Sequence, residues 1–308
     1  MKKIIWLTLF AVSAIQASAQ ELFVTTTDSV RLYVRTAGSG PACLYLHGGP
    51  GAGALWLERF YGDFLERHFR MVYLDQRGTG RSSSPADGNY SIERMTRDFE
   101  EVRAALGIGR WLTLGHSFGG ILQTDYAVRY PKPQLGLMMV NCTLCMEDSF
   151  RGGWIPRTCA LLGDEARRVW ADESVPLARR LESVARILNG KGLQWKLAYA
   201  SPESEERMNA TYAEIPSFNN DLSGAALHAK DYWTDYRPAS ALVRLPVLFF
   251  CGTEDWCVGP KHYEGVRFPR MLLRRSRVGH IPFLENRADL DRAICRYIKK
   301  YGFGRCDR

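Results

Sequence analysis

Apolar residues along this 308-residue chain occur in two kinds of short run. Leu22–Thr27 and Val30–Thr36 alternate apolar with polar residues, as half-exposed β-strands do. Five later runs are continuously apolar, which is typical of parallel strands covered by helices on both faces. These runs are Cys43–Leu46, Met71–Leu74, Leu112–Leu114, Leu137–Val140 and Val247–Phe250. Because helical segments such as Ser91–Leu106 lie between them, the pattern predicts an α/β fold with a mostly parallel, doubly wound sheet.

The alternation of strands and helices stops in the middle of the chain. Residues 146–239 are rich in Arg, Glu, Trp and Ala, and they contain helical periods such as Val175–Leu188. A strand pattern resumes only at Pro246. We therefore predict that residues 146–239 form a helical cap, inserted into an α/β core made of residues 20–145 and 240–308.

The N-terminus has the pattern of an export signal. Two lysines precede the apolar run Ile4–Ile15, which is too short to cross a bilayer, and Ala17–Ala19 offers small residues to a signal peptidase. We predict a signal peptide over residues 1–19, cleaved near Ala19. The mature protein is expected to be periplasmic or secreted and to have no membrane anchor, because no later run is long enough to span a bilayer.

Charge and cysteine content exclude several classes of protein. Lys and Arg exceed Asp and Glu by 41 to 33, but they form no basic blocks, so we expect no nucleic-acid partner. No metal motif or cofactor motif is found, and we expect neither a metal nor a cofactor. Cys43 and Cys251 lie in strand-like runs and are expected to be buried thiols. Cys295 and Cys306 lie around the last predicted helix and are the favoured pair for a disulfide. The sequence indicates no particular oligomeric state.

The segment Gly115–Gly119, which reads Gly-His-Ser-Phe-Gly, fits the motif of a serine nucleophile. An apolar strand precedes it and a helix beginning near Gly119 follows, so Ser117 is expected on a sharp turn between the two. Such a turn requires small residues two positions before and after the serine. It also holds the hydroxyl outward, near the positive end of the helix. Ser117 is therefore the predicted nucleophile.

A serine nucleophile needs a base and an acid that orients the base, and both are expected later in the chain. His280 lies on a short loop after the strand-like run Arg270–Val278. Asp255 lies just past the end of the preceding apolar strand, where catalytic groups of open α/β sheets gather. We predict His280 as the base and Asp255 as the acid. Asp148, which follows an earlier strand, remains an alternative acid.

A glycine-rich loop follows the first continuously apolar strand. This loop, His47–Gly51, reads His-Gly-Gly-Pro-Gly, and a tight turn there can aim a backbone amide at a developing oxyanion. The predicted oxyanion donors are the amides of Gly49 and of Phe118, the residue after the nucleophile. A phosphate-binding loop is the alternative, but the lysine and hydroxyl of that motif are missing.

Three motifs together resemble the prolyl iminopeptidase family: the loop His47–Gly51, the segment Asp75–Ser82 (Asp-Gln-Arg-Gly-Thr-Gly-Arg-Ser) and the turn at Ser117. Members of that family are serine peptidases of the α/β-hydrolase fold that release an N-terminal residue, typically proline. The resemblance covers residues 22–145 and 240–308. It implies the same triad of Ser117, Asp255 and His280, with the oxyanion amides named above.

The chain departs from the family pattern at two places. Typical members read Gly-Gly-Ser-Trp-Gly around the nucleophile, so His116 and Phe118 differ. The family also holds the ammonium group of the substrate with cap glutamates, often within Trp-x-x-Trp-Glu, which is missing here. The nearest acidic residues are in the cap, and Glu214 is the first candidate for that role.

The resemblance implies a serine hydrolase that takes a small-molecule or short-peptide substrate, most simply an aminopeptidase for N-terminal proline or a similar residue. An esterase or lactonase with the same triad is the alternative. A binding protein without catalysis is disfavoured, because the serine, the acid, the histidine and both oxyanion loops are all present.

Overall fold

The computed structural model describes residues 19–226 and 228–306. Apart from Ala19, the predicted signal peptide lies outside these residues and stays a prediction. Within the described part of the chain, no helix combines the length and apolar character needed to cross a membrane.

In the described part of the chain, eight strands form a single sheet. They are β1 (Gln20–Thr25), β2 (Arg31–Ala37), β3 (Ala42–Leu46), β4 (Arg70–Leu74), β5 (Trp111–His116), β6 (Gln134–Val140), β7 (Val247–Gly252) and β8 (Met271–Ser276). Their order in the sheet is β1-β2-β4-β3-β5-β6-β7-β8. β2 pairs antiparallel with β1 and β4, and all other neighbours are parallel. The alternating runs thus form an antiparallel edge and the continuously apolar runs the parallel part, which confirms the predicted fold class.

Helices cover both faces of the sheet and fill the insertion between β6 and β7. They are α1 (Leu55–Leu65), α2 (Ile92–Ala105), α3 (Gly119–Arg129), α4 (Met146–Ser149), α5 (Ile155–Leu162), α6 (Asp164–Ala171), α7 (Leu177–Gly190), α8 (Trp195–Ala198), α9 (Pro202–Ala210), α10 (Asp221–Ala226), α11 (Pro282–Glu285) and α12 (Arg287–Tyr301). A π-helical turn, Phe150–Trp154, joins α4 to α5. Helices α4 to α10 occupy the region predicted as a cap, and α5 to α8 share a small apolar core around Trp170, Leu181 and Val184.

Strand β3 shows how the sheet divides the main core. Cys43 and Tyr45 pack on the face covered by α1, α11 and α12, whereas Leu44 and Leu46 pack on the face covered by α2 and α3. All four side chains are buried. A strand that is covered on both faces must be apolar at every position, which is why the run shows no alternation.

Strand β5 extends two residues beyond the apolar run that predicted it. It continues through Gly115 and His116 because both neighbours pair with it there, Leu46 of β3 with Gly115 and Val140 of β6 with His116. Ser117 therefore follows the last residue of a central strand.

The predicted disulfide between Cys295 and Cys306 is confirmed. Their Cα atoms lie 5.3 Å apart, and the bridge ties the C-terminal segment to α12. Cys43 is a buried free thiol as predicted, whereas Cys251 is only partly buried. The predicted export stays a prediction.

Arg77, in the segment Asp75–Ser82, is a fully buried cation that joins distant parts of the core. Its Nε donates to Asp98 at 2.6 Å, and its Nη1 donates to Asp28 and to the carbonyl oxygen of Asn89, both at 2.9 Å. Asp98 is itself buried in α2. The guanidinium therefore fixes α2 to the hairpin of β1 and β2 and to the loop before α2.

We expect Arg77→Met to lower the free energy of unfolding by about 3 kcal/mol, because Asp98 loses a buried counter-ion while it remains out of water. Urea unfolding followed by circular dichroism measures the loss. Arg97→Met is the matched control, since Arg97 is on the same helix as Asp98, with 58% of its side chain exposed, and pairs with Glu101 at the surface. The control should cost less than about 1 kcal/mol. Equal losses in the two variants would contradict a special role for Arg77.

Candidate active site

Ser117 occupies a sharp turn between β5 and α3. Its φ of +55° lies in the left-handed region that residues other than glycine rarely adopt. The turn brings α3 so close to β3 that a Cβ at Gly119 would lie 2.2 Å from the carbonyl oxygen of Leu46. A side chain at position 119 would push the helix away, which explains the small residue in the motif. The strained serine backbone supports the prediction of Ser117 as the nucleophile.

His280 and Asp255 form a buried acid–base pair. Asp255 lies in the loop after β7, and His280 lies in the loop between β8 and α11. The Nδ1 of His280 is 3.0 Å from Oδ2 and 3.1 Å from Oδ1 of Asp255. The backbone amides of Cys257 and Val258 donate to Oδ1 at 3.0 and 3.1 Å, so the carboxylate has a fixed orientation. In this arrangement Nδ1 carries the proton, and Nε2 keeps the lone pair that a base needs.

Asp148, the alternative acid, is engaged with a different histidine. Its Oδ2 lies 2.7 Å from Nδ1 of His262, and its Oδ1 lies 2.6 Å from Nη1 of Arg237. The Nε2 of His262 accepts from the amide of Leu144 at 2.9 Å, so the His262 proton is on Nδ1. The hydrogen bond from His262 holds the pKa of Asp148 below its ordinary value. The structure therefore brings Asp255, and not Asp148, to His280.

The predicted oxyanion amides lie beside the nucleophile. Gly49 and Phe118 line the cavity that contains Ser117 and His280. Neither amide donates a backbone hydrogen bond to another described residue. The neighbouring Gly48 approaches the serine so closely that a Cβ there would lie 2.6 Å from the Cβ of Ser117. Both amides are thus free to donate to a substrate oxygen bound next to the serine.

The segment Asp75–Ser82 holds the glycine-rich loop in place. The backbone amide of Gln76 donates to Nε2 of His47, and the side-chain amide of Gln76 donates to the His47 carbonyl oxygen, both at 3.1 Å. Asp75 accepts from the amide of Ala54 at 2.9 Å. These hydrogen bonds join the segment Asp75–Ser82 and the glycine-rich loop, the two motifs that carried the resemblance, into one structural unit.

The same two segments also contact the helical insertion. Asn219 and Gly80 exchange backbone hydrogen bonds of 2.8 and 2.9 Å. The hydroxyl of Ser223 donates to the carbonyl oxygen of Pro50 at 2.8 Å. The insertion is therefore bonded directly to the loop that carries the predicted oxyanion amide of Gly49.

A cavity of about 850 Å³ opens above Ser117, between the sheet and the insertion. Aromatic side chains supply much of its wall; they are Trp56, Phe150, Trp154, Tyr199, Tyr212 and Phe218. Glu182 is the one carboxylate among the described residues that line it, and no Lys or Arg of the described chain joins it there. The site is therefore an apolar chamber with a single acidic group.

Glu214, the predicted substrate-binding residue, does not line this cavity. It lies in a short 3-10 turn, partly exposed, and its carboxylate accepts from Nε of Arg59 at 2.8 Å. The adjacent Tyr212 faces the cavity instead. In a 3-10 turn, residues two positions apart point to different sides, so Tyr212 and Glu214 cannot both face the substrate.

Glu182 was missed because it belongs to an apolar face of α7. Ala178, Leu181, Glu182 and Ala185 all line the cavity, at the i, i+3, i+4, i+7 spacing of one helix face. A charged residue within an otherwise apolar helix face is the sequence signal that would have indicated Glu182. Its Oε2 also lies 2.9 Å from Nη1 of Arg179, one turn earlier on the helix.

Asp255, Cys257 and His280 are the residues of the site that could hold a metal ion, since their potential ligand atoms lie within 4.8 Å of one another. Burial keeps the pKa of the Cys257 thiol well above its ordinary value, so this group is uncharged. A metal ion at that place would replace the hydrogen bond between His280 and Asp255. The arrangement fits an acid–base pair, which is the predicted role.

His47 and His116 are buried imidazoles beside the site. Burial lowers the pKa of His47 to about 4 and that of His116 to about 3. Both are therefore neutral at pH 7. Below pH 6.5 these two histidines bind protons in the unfolded chain but stay neutral in the folded chain. The free energy of unfolding is therefore highest above pH 6.5 and falls as the pH is lowered toward 4.

We expect the free energy of unfolding to fall by about 2–5 kcal/mol between pH 7 and pH 4.5 from these two histidines. Urea unfolding at closely spaced pH values measures this loss. In His116→Gln one titrating group is missing, so the slope with pH should be shallower than in the wild type. Identical slopes in the two proteins would contradict the assignment of a buried neutral His116.

Comparisons with known proteins place this fold in a family. The family model described as alpha/beta hydrolase fold matches residues 41–287. Proline iminopeptidase from Neisseria gonorrhoeae is 37% identical over 127 residues, so the alignment spans only 40% of this chain and 40% of that relative. A proline iminopeptidase-related protein from Thermus thermophilus has a similar structure, with a TM-score of 0.74 at 24% identity over 91% of this chain and 97% of that chain. The esterase RhEst1 from Rhodococcus sp. ECU1013 gives a TM-score of 0.69 at 22% identity, over 92% of this chain and 100% of that chain.

The chain therefore belongs to the α/β-hydrolase fold family. Its resemblance to the proline iminopeptidases is confirmed over the part that aligns. At these identities the two solved structures establish the fold alone.

Proposed function

We propose that the protein is a serine hydrolase that works through an acyl-enzyme on Ser117. The observation that carries this proposal is the shared cavity: Ser117, His280, Gly49 and Phe118 all line it, and Asp255 is bound to the far side of the imidazole. A fluorophosphonate probe, which reacts with activated serines, tests it. Labelling at Ser117 is expected, and a folded wild-type protein that does not label would refute the proposal.

In this proposal His280 Nε2 takes the proton of Ser117 as Oγ attacks the substrate carbonyl carbon. The carbonyl oxygen becomes an oxyanion, to which the amides of Gly49 and Phe118 donate. Asp255 stabilises the imidazolium, which then gives its proton to the leaving group as the bond to that group breaks. A water molecule, activated by the same imidazole, hydrolyses the acyl-enzyme and restores Ser117.

The proposed substrate is a short peptide or amide with a free N-terminus and an apolar first residue such as proline. The apolar walls of the cavity suit such a residue, and Glu182 offers a carboxylate to its ammonium group. The similarity to proline iminopeptidases supports the same substrate class.

We expect Glu182→Gln to raise KM for an unblocked prolyl amide about 10-fold to 100-fold, because a charge-assisted hydrogen bond to the ammonium group is lost. Steady-state kinetics with prolyl-p-nitroanilide measure the change. Glu214→Gln is the matched control and should leave KM unchanged, since Glu214 lies outside the cavity. If KM instead rises in Glu214→Gln and not in Glu182→Gln, then Glu214, the residue first predicted, binds the ammonium group of the substrate.

A neutral ester or lactone is the second candidate. The observation that favours it is the pairing of Glu182 with Arg179, which leaves an otherwise uncharged, aromatic cavity with little to attract an ammonium group. Cleavage of p-nitrophenyl acyl esters without any cleavage of unblocked prolyl amides would support it. Cleavage of the prolyl amide that is lost when its nitrogen is acetylated would support the aminopeptidase.

A further inference from the structure

The carbonyl oxygen of His280 accepts two side-chain hydrogen bonds from residues at the ends of β5 and β6. Nε2 of His116 donates to it at 2.9 Å, and Nδ2 of Asn141 donates to it at 3.0 Å. The same Nδ2 also donates to the carbonyl oxygen of Gly279 at 2.8 Å. His116 and Asn141 are both buried. The short loop that carries the proposed base is thus held by hydrogen bonds from His116 and Asn141 to its backbone carbonyl oxygens.

Asn141 connects this loop to the two other parts of the proposed triad. It follows the last residue of β6, with a φ of +47°. Its carbonyl oxygen accepts from the amide of Ser117 at 3.1 Å. Its Oδ1 accepts from the amide of Gly252 at 2.7 Å, at the end of the strand that leads to Asp255. One buried side chain and its backbone therefore set the mutual positions of the three segments that carry the nucleophile, the acid and the base.

His116 is the second support. Its ring lies against that of His280, with ring centres 4.7 Å apart, and against the ring of Phe283 at 5.2 Å. Because the His280 carbonyl can only accept, the proton of His116 must be on Nε2.

We propose that His116 and Asn141 are positioning residues that hold the His280 imidazole in register with Ser117. This inference rests on the proposed serine hydrolase. Without these two donors the loop between β8 and α11 keeps two backbone bonds, from the His280 amide to Ala198 and from the Glu254 amide to Val278, both at 3.1 Å. The carbonyl oxygens of Gly279 and His280, however, lose their bonds to the ends of β5 and β6. A displacement of the base by as little as about 1 Å lowers turnover without changing how the substrate is held.

The test compares His116→Ala, His116→Gln and Asn141→Gly. Glycine suits the left-handed backbone at position 141, so that variant removes the side chain without adding strain. Glutamine can place an amide N–H near the position of the histidine Nε2–H. Three readouts are used: kcat and KM for p-nitrophenyl butyrate or prolyl-p-nitroanilide, whichever the wild type cleaves; the rate of fluorophosphonate labelling of Ser117; and the low-field proton resonance of the His280 Nδ1–H.

We expect kcat and the labelling rate to fall together about 10-fold to 100-fold in His116→Ala and Asn141→Gly, with KM within about 2-fold of the wild type. The low-field resonance should broaden or move, and His116→Gln should recover most of the lost rate. His68→Gln is the control: its imidazole also pairs with a carbonyl oxygen, that of Arg305 at 3.2 Å, but it does not line the cavity. It should leave all three readouts unchanged.

The outcomes separate this inference from the proposed function. A wild-type protein that does not label would refute the serine hydrolase itself. A wild-type protein that labels, together with folded His116→Ala and Asn141→Gly variants that label at the same rate, would overturn the positioning role alone. A rise in KM with unchanged kcat would also overturn it, because substrate binding would then be what these residues support.

Discussion

Replacing Ser117 with alanine is expected to lower kcat about 10⁵-fold on any substrate that the wild type cleaves. The variant removes the only atom that the proposed mechanism bonds to the substrate, and His280 then has no hydroxyl to activate. Alanine is small enough for the crowded turn, where Gly48 and Ser117 are in close contact. The fold should therefore persist, and substrate binding with it.

Steady-state kinetics, together with intact-protein mass after incubation with a fluorophosphonate, measure this effect. The wild type should gain one probe adduct and the variant none. A matched control is Ser223→Ala, which removes a hydroxyl of the same cavity from the insertion side. It should lower kcat less than about 10-fold. Turnover in Ser117→Ala near that of the wild type would show that the nucleophile lies elsewhere.

The second large effect is expected for the acid. Asp255→Asn should lower kcat about 10⁴-fold, because an amide beside Nδ1 favours the tautomer with its proton on Nε2, which cannot act as a base. Asp148→Asn tests the alternative acid. It should change kcat less than about 3-fold, while the loss of its bonds to His262 and Arg237 should lower the melting temperature.

Comparing the two carboxylate variants on one substrate distinguishes catalytic from structural loss. Both should be assayed at a temperature where circular dichroism shows that they are folded. A larger loss of kcat in Asp148→Asn than in Asp255→Asn would contradict the acid that the structure places beside His280.

The sheet was predictable because the number of buried faces of a strand affects its pattern of apolar residues. The run Cys43–Leu46 is apolar throughout since helices cover both of its faces. Of the two alternating runs, the one in β1 is mostly exposed, as its alternation predicts, whereas the one in β2 is mostly buried although its residues alternate. The ends of the strands were less predictable. β5 continues through Gly115 and His116 because two neighbouring strands pair with it there, and hydropathy carries no information about that pairing.

The meeting of Asp255 and His280 could be predicted because both follow strands whose carboxyl ends lie at one edge of the sheet. Glu214 failed as a substrate-binding candidate because nothing in its own sequence tells which side of a 3-10 turn faces the cavity. Its partner, Arg59, lies 155 positions earlier in the chain. Glu182 could have been found from the helix face that it interrupts, but only with the knowledge that this face is turned toward Ser117.

By itself the sequence determined the α/β fold and the strand-to-helix turn at Ser117. It favoured Asp255 and His280 as acid and base and Cys295 with Cys306 as a disulfide, but it left Asp148 and the other cysteine pairings open. These features depend on periodicity, on small residues at a turn and on positions past strand ends. Each of them involves residues that are close together in the sequence, so the sequence alone reveals them. The tertiary structure decided that Asp148 binds His262, that Glu182 enters the cavity, and that His116 and Asn141 converge on the carbonyl oxygen of His280. These contacts join residues far apart in the chain, and they exist only because the order of the strands brings β5, β6, β7 and the helical insertion to one edge of the sheet.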